Sequence, residues 1–397
     1  MLRGLLAGFC VVGVLAASAT ALQKSKDPDV CPWCRNDPVL MRAAGVVSHG
    51  PLTIGPHGSR AIVEGLPASQ WVFIETAHLR WASSLGATKV DIKDKARVQA
   101  ELDRLRASLP DVPKKARKLD PWLRLHLFAM RGEELYARFQ RLLGVTDADF
   151  PESRQLQGPY MGNGRFLGEK DKFEVILHTS RANHYRFTEE FTGIRVADSF
   201  RWHVPSVHKM LVSIPAEDAD LRQDRWLFPH VAHSLSHLFF VAYKHFSYDP
   251  PIWLDEGLAH AIEKEIEPLS QTTEGEEGTL RETVGPADWE QESWSLLRGD
   301  PVVTLAQLMH VKETGQLSIE ANVICWSMLR FLIDEHPEAL AKFIGGVKGQ
   351  LDEAGYPTGK DMLGLQRRLM QEIWGWSPAD FDTHWAEWAR LQQAAKQ

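Results

Sequence analysis

The sequence predicts an α+β fold, in which a small, mostly antiparallel sheet packs on helices and a helical C-terminal lobe follows. Three observations lead there. Runs rich in aromatic and branched residues at 71–84, 173–178 and 210–214 read as strands. Apolar residues recur at three- and four-residue spacing over 121–143 and most of the chain beyond 300, which is the helical period, and 93–108, with i, i+3 charge pairs such as Asp94 and Arg97, and 225–244 also read as helices. Between these blocks lies one stretch, residues 230–260, that carries both helical periodicity and chemistry.

Composition sets the outer limits. The chain has 397 residues, 44% hydrophobic and 24% charged, so it can bury one large composite core or two ordinary ones. Its net charge is −7 and no basic run occurs, which argues against nucleic acid as a partner. Residues 1–21 combine Arg3, an apolar run over 5–17 and Ala19-Thr20-Ala21, the pattern of a secretory signal; a retained N-terminal anchor is the alternative. No later stretch is long enough to span a membrane, so the mature chain is expected to be exported, periplasmic or secreted.

Residues 22–67 form an N-terminal extension rich in Gly and Pro, expected as a loop-and-strand cap without a large core of its own. It holds Cys31-Pro32-Trp33-Cys34, which reads as a local disulfide or a metal half-site; His49 and His57 downstream could complete a Cys2His2 set. Arg35 after the second cysteine excludes haem attachment by CxxCH, and the motif does not open a helix after a strand as a redox motif would. Cys325 lies in an apolar helical run and is expected as a buried free thiol.

The main unit is expected over 68–267. It opens on the strand at 71–84, then two helices at 93–108 and 121–143, the second with Gly144 where a helix-ending glycine belongs. A strand at 173–178, a short helix at 183–191 stopped by Gly193, and a strand at 210–214 follow. The helix over 225–244 carries His230, His233 and His237 in one stripe, and Pro250-Pro251 forces a break before the next helix.

His233 and His237, four positions apart, put two imidazoles on one helix face, close enough for a single ion. Glu256 follows nineteen positions after His237, inside Trp253-Leu254-Asp255-Glu256-Gly257-Leu258-Ala259. Two imidazoles and a carboxylate are the three-ligand set that leaves a fourth tetrahedral position open. Two histidines at this spacing are also common as ordinary packed residues, and it is the distant Glu that favours a metal. His230 and His237 are two turns apart, about 10 Å along the axis, too far to share the ion. His230 is then a neighbour or a packed histidine, and His260, one turn after Glu256, is either a residue behind the ligands or an exposed one.

This HSLSH and WLDEGLA pair resembles the gluzincin metallopeptidases, in particular the peptidase-MA-like domains of bacterial exported proteins. The resemblance covers roughly residues 70–390, but only 233–259 is specific. It implies a gluzincin-like fold and Zn2+ held by His233, His237 and Glu256. It also implies that the strand at 210–214 is the edge on which such enzymes lay a peptide, with a C-terminal lobe closing the cleft. One departure stands out. Ser234 occupies the position of the general-base Glu, and a hydroxyl cannot take a proton from a zinc-bound water at neutral pH. A tyrosine that steadies the oxyanion in relatives aligns near Asn322, and no Tyr occurs between 281 and 353.

The expectation is therefore an exported zinc-binding, peptidase-like protein, catalytically impaired, acting as a binding or scaffold module for a peptide or protein. An active zinc hydrolase with its base supplied by His230, Asp255 or the substrate is the alternative, and a metal-free domain of the same fold is another. Residues 268–289 are acidic and read as a solvated loop, with a lid as the sharper version, and 290–397 as the helical lobe. No P-loop, dinucleotide fingerprint or GxSxG elbow is present.

Overall fold

The computed structural model describes residues 27, 29–66, 70–153, 158–217, 220–274, 279–282, 285–299 and 303–395. The signal-like segment 1–21 lies outside them. No helix among the described residues is long and apolar enough to cross a membrane.

A seven-stranded mixed sheet divides two cores. In chain order its strands are β1 (Val72–Glu75), β2 (Leu79–Ser83), β3 (Phe173–His178), β4 (Ser199–Val204), β5 (Lys209–Pro215), β6 (Thr272–Glu274) and β7 (Thr279–Glu282), arranged β6-β7-β4-β5-β3-β2-β1. The centre is parallel, β2 with β3 and β3 with β5, and the flanks are antiparallel. Four of its six strand pairings are antiparallel, so the expected mostly antiparallel sheet is present, with two parallel ladders at its centre.

The central strands are buried on both faces because both are covered. Val72, Ile74, Leu79, Trp81, Phe173, Val175, Leu177, Met210, Val212 and Ile214 alternate into the larger core with the helices. Trp71, Phe73, Ala82, Ile176 and Leu211 point the other way, where Leu52, Ile54, Ile62 and Leu66 of the N-terminal extension meet them. That extension is thus a lid on the sheet's second face, and residues 47–48 pair with Glu75 on the outer edge of β1.

The labelled helices are α1 (Lys95–Ser108), α2 (Pro121–Leu143), α3 (Asp224–Ala242), α4 (Ile252–Ile266) and α5 (Ile319–Glu335). Asp120 caps α2 at its start and Gly144, at φ 65°, ends it. Helix α3 runs through the centre and is buried on every side from Leu227 to Phe240, so it is apolar all round except for its histidines and serines. Gly257 lets α4 approach α5 closely: a Cβ there would stand 2.6 Å from the Cys325 carbonyl oxygen. Further helices, among them Trp289–Leu297, Pro337–Val347, Met362–Trp374 and Pro378–Ala394, complete the helical lobe.

Three expectations need correction. The run 71–84 is a hairpin of two strands, because Glu133 of α2 takes hydrogen bonds from the Thr76 hydroxyl and the His78 backbone N–H (2.9 Å) and pins a turn there. The strand at 210–214 is no edge, since β4, which sequence reading missed, pairs along it. And 268–289 is not simply a solvated loop, for β6 and β7 extend the sheet as a hairpin against β4.

Candidate metal centre

Helices α3 and α4 pack side by side and bring His233, His237 and Glu256 together, with one donor atom from each within 4.8 Å of the others. The two imidazole Nε2 atoms are 3.2 Å apart. Each ring turns its other nitrogen to a carboxylate: His237 Nδ1 is 2.9 Å from Asp255 Oδ2, and His233 Nδ1 is 3.2 Å from Glu263 Oε2. If each ring gives its one proton to its carboxylate, two lone pairs face each other at Nε2. Such a contact is repulsive until a cation lies between them. Nitrogens on one tetrahedral zinc lie about 3.3 Å apart, given zinc–nitrogen bonds of about 2.0–2.1 Å, so the spacing fits an ion.

A carboxylate behind each ligating histidine is the usual device that fixes ring orientation and tautomer. Asp255 was foreseen as a neighbour and lies there. Glu263 was missed, although it stands one turn beyond His260 and two beyond Glu256, on the same face of α4. It is fully buried and held by several partners. The Ser270 hydroxyl (2.7 Å) and the Thr272 hydroxyl (2.6 Å) donate to its Oε1, and His260 Nδ1 is 3.3 Å from Oε2. Burial alone would raise its carboxyl, but His233 and His260 hold it well below the usual range.

His260 is buried, not exposed, with Nε2 3.6 Å from Glu256 Oε2, and Asn322 is buried as well. His230 is buried one turn before His233, with Nε2 2.8 Å from the Ser199 hydroxyl and Nδ1 3.2 Å from the Thr272 hydroxyl. It is a packed neighbour that ties α3 to β4 and β6. Ser234 donates its hydroxyl to the His230 carbonyl one turn back, at 3.0 Å, the ordinary back-bond of a mid-helix serine.

Burial dominates the electrostatics. It pushes His233 down to about 3, lowers His260, and pushes the Asp255 carboxyl up to about 7. His233, His237 and Glu256 are 0%, 0% and 1% exposed, so no donor of the set faces bulk solvent.

The expected half-site at Cys31 and Cys34 is buried with both thiols free, and Cys325 is likewise a buried free thiol. The half-site's histidine partners are His49 and His126. His57 is not among them; it packs edge-on against Phe191, with ring centroids 4.7 Å apart. No family model matches the chain, and a search of curated proteins finds no match.

Proposed function

We propose that this chain is an exported, gluzincin-like zinc protein that holds the ion through His233, His237 and Glu256 and does not hydrolyse peptides, serving as a binding module for a peptide or protein. The observation that carries it is the pair of opposed Nε2 atoms, 3.2 Å apart, each ring backed by a buried carboxylate. A zinc ion there would supply Lewis acidity. The residues around it supply no base: the Ser234 hydroxyl is committed to a helix carbonyl, both nitrogens of His230 lie against hydroxyls, and Asp255 and Glu263 sit behind the ligand rings. The alternatives of His230 or Asp255 as base are thereby weakened. A peptide partner has a place to pair along the C-terminal half of β4, which has no strand partner on the side away from β5 among the described residues.

A second reading has its own support. Asp255, raised to about 7, can carry a proton and donate it to His237 Nδ1, after which His237 donates from Nε2 to His233. That arrangement satisfies the rings without metal. Metal content decides between them. Purified chain that carries zinc at this centre, lost in His237→Ala with the fold retained, supports the proposal, and metal-free protein whose stability is unmoved by zinc refutes it. Turnover of a peptide library that is abolished by chelator and by His237→Ala would refute the absence of catalysis.

A further inference from the structure

The N-terminal extension carries a second constellation, remote in sequence from the centre just described. Cys31 Sγ lies 3.2 Å from His126 Nε2, and Cys34 Sγ lies 2.9 Å from His49 Nε2. All four donor atoms fall within 4.8 Å of one another. Both cysteines are fully buried and His126 nearly so. On one tetrahedral zinc, neighbouring sulfur and nitrogen ligands lie about 3.3–3.8 Å apart, given zinc–sulfur bonds of about 2.3 Å and zinc–nitrogen bonds of about 2.0–2.1 Å. A compact knot of four such donors is what that geometry requires.

We propose that Cys31, Cys34, His49 and His126 form a closed structural zinc site that clasps the N-terminal extension to the body of the fold. The local chain is shaped for it. After Cys34, Arg35 and Asn36 take left-handed backbone conformations (φ 55° and 54°), and Asn36 accepts from the Cys31 backbone N–H, so the two sulfurs are turned to the same side. His49 donates from Nδ1 to the Phe73 carbonyl at 2.9 Å, which leaves its Nε2 lone pair for the site. His126 comes from the buried face of α2, 95 positions from Cys31. The clasp thus joins three segments: the CPWC turn, the strap that pairs with the edge of β1, and the central body.

The ligand chemistry selects the ion. Two thiolates with two imidazoles in a tetrahedron suit zinc and exclude calcium or magnesium, which take oxygen donors. Four protein ligands leave no open position, so the role is structural. The competing fate of two neighbouring thiols is a Cys31–Cys34 disulfide, favoured in an oxidising compartment.

Cobalt substitution tests the clasp separately from the other centre, because only a thiolate site gives a thiolate-to-cobalt charge-transfer band in the near ultraviolet. The chain from residue 22 onward, purified under reducing conditions, stripped and reloaded with cobalt, is expected to show that band. His237→Ala is expected to keep it, and Cys34→Ser and His126→Ala to lose it together with one metal per chain. A wild-type chain with the band but a single metal would uphold the clasp while removing the His233 centre. Cobalt bound without the band overturns the proposal. So does natively isolated protein whose intact mass and resistance to alkylation show a Cys31–Cys34 disulfide. Should the cysteine variants fail to fold, the wild-type and His237→Ala spectra still decide.

Discussion

Asp255→Asn separates orientation of a metal ligand from packing. Asp255 Oδ2 stands 2.9 Å from His237 Nδ1, and its side chain is 9% exposed, so no water replaces it. Removing a carboxylate that orients a ligating histidine costs typically 10–100-fold in metal affinity, or about 1.4–2.7 kcal/mol. The metal-free chain responds in the opposite sense. Burial has pushed the Asp255 carboxyl up to about 7, so above that pH the folded chain bears the cost of a buried charge which Asn does not carry. Near pH 8 the urea midpoint of the stripped variant is therefore expected to equal or exceed that of the stripped wild type. Competition with a chromophoric chelator gives the affinity, and urea unfolding in excess chelator gives the stability. An affinity within twofold of wild type, or a stripped variant that unfolds at clearly lower urea, would refute the assignment of Asp255 as the group that aims His237.

The same carboxyl sets a pH dependence. Below about 7 Asp255 is protonated in the metal-free chain, and binding must expel that proton, so apparent zinc affinity is expected to fall about tenfold per pH unit on the acid side and to level off above. Metal titrations across that range check it, and Asp255→Asn should flatten the slope; a slope unchanged in the variant would place the proton elsewhere. Ser234→Glu adds atoms to a fully buried site and breaks the bond to the His230 carbonyl, at a cost of about 1–3 kcal/mol in urea unfolding, yet metal content should be retained because Ser234 is not a ligand. Loss of metal from a folded Ser234→Glu chain would contradict that placement. Gly257→Ala puts a Cβ 2.6 Å from the Cys325 carbonyl oxygen and 2.7 Å from Leu329 Cδ2, so it should destabilise by about 1–3 kcal/mol, and an unchanged urea midpoint would show that α4 and α5 part without strain.

Much of the architecture was legible because the local signals were strong and unopposed. The helix 121–143 coincides with α2, since a capping aspartate, a first-turn proline and a left-handed glycine bracket one apolar stripe. The strand 173–178 coincides with β3, since Phe173, Val175 and Leu177 give one face of a covered sheet a clean apolar row. What was lost falls into two kinds. β4 does carry a short alternation, apolar Phe200, Trp202 and Val204 against Ser199, Arg201 and His203, which the reading passed over, and β5 supplies the ladder that makes it a strand. The turn at 76–78 has no glycine or proline and is held by Glu133 from another element.

The two candidate ligand clusters divide along the same line. His233 and His237 were legible because four residues on a helix is a spatial statement as well as a spacing, and Glu256 because a proline pair confines it to the start of the adjoining helix. The choice of His57 for the cysteine pair followed sequence proximity, and proximity is a poor guide in a segment that winds across a sheet. The histidine that the fold brings to the cysteines is His126, carried there by α2 packing beneath the extension. At the first centre the side chains that sequence reading missed, Glu263 with Ser270 and Thr272, all serve to hold rings and carboxylates in place. Thr272 belongs to the hairpin that composition marked as a solvated loop, and it also touches His230, so that hairpin buttresses the centre from the sheet side. The carboxylates beside the rings, Asp255 at His237 and Glu263 at His233, fix which way those rings face, and the hydroxyls of Ser270 and Thr272 fix Glu263 in turn.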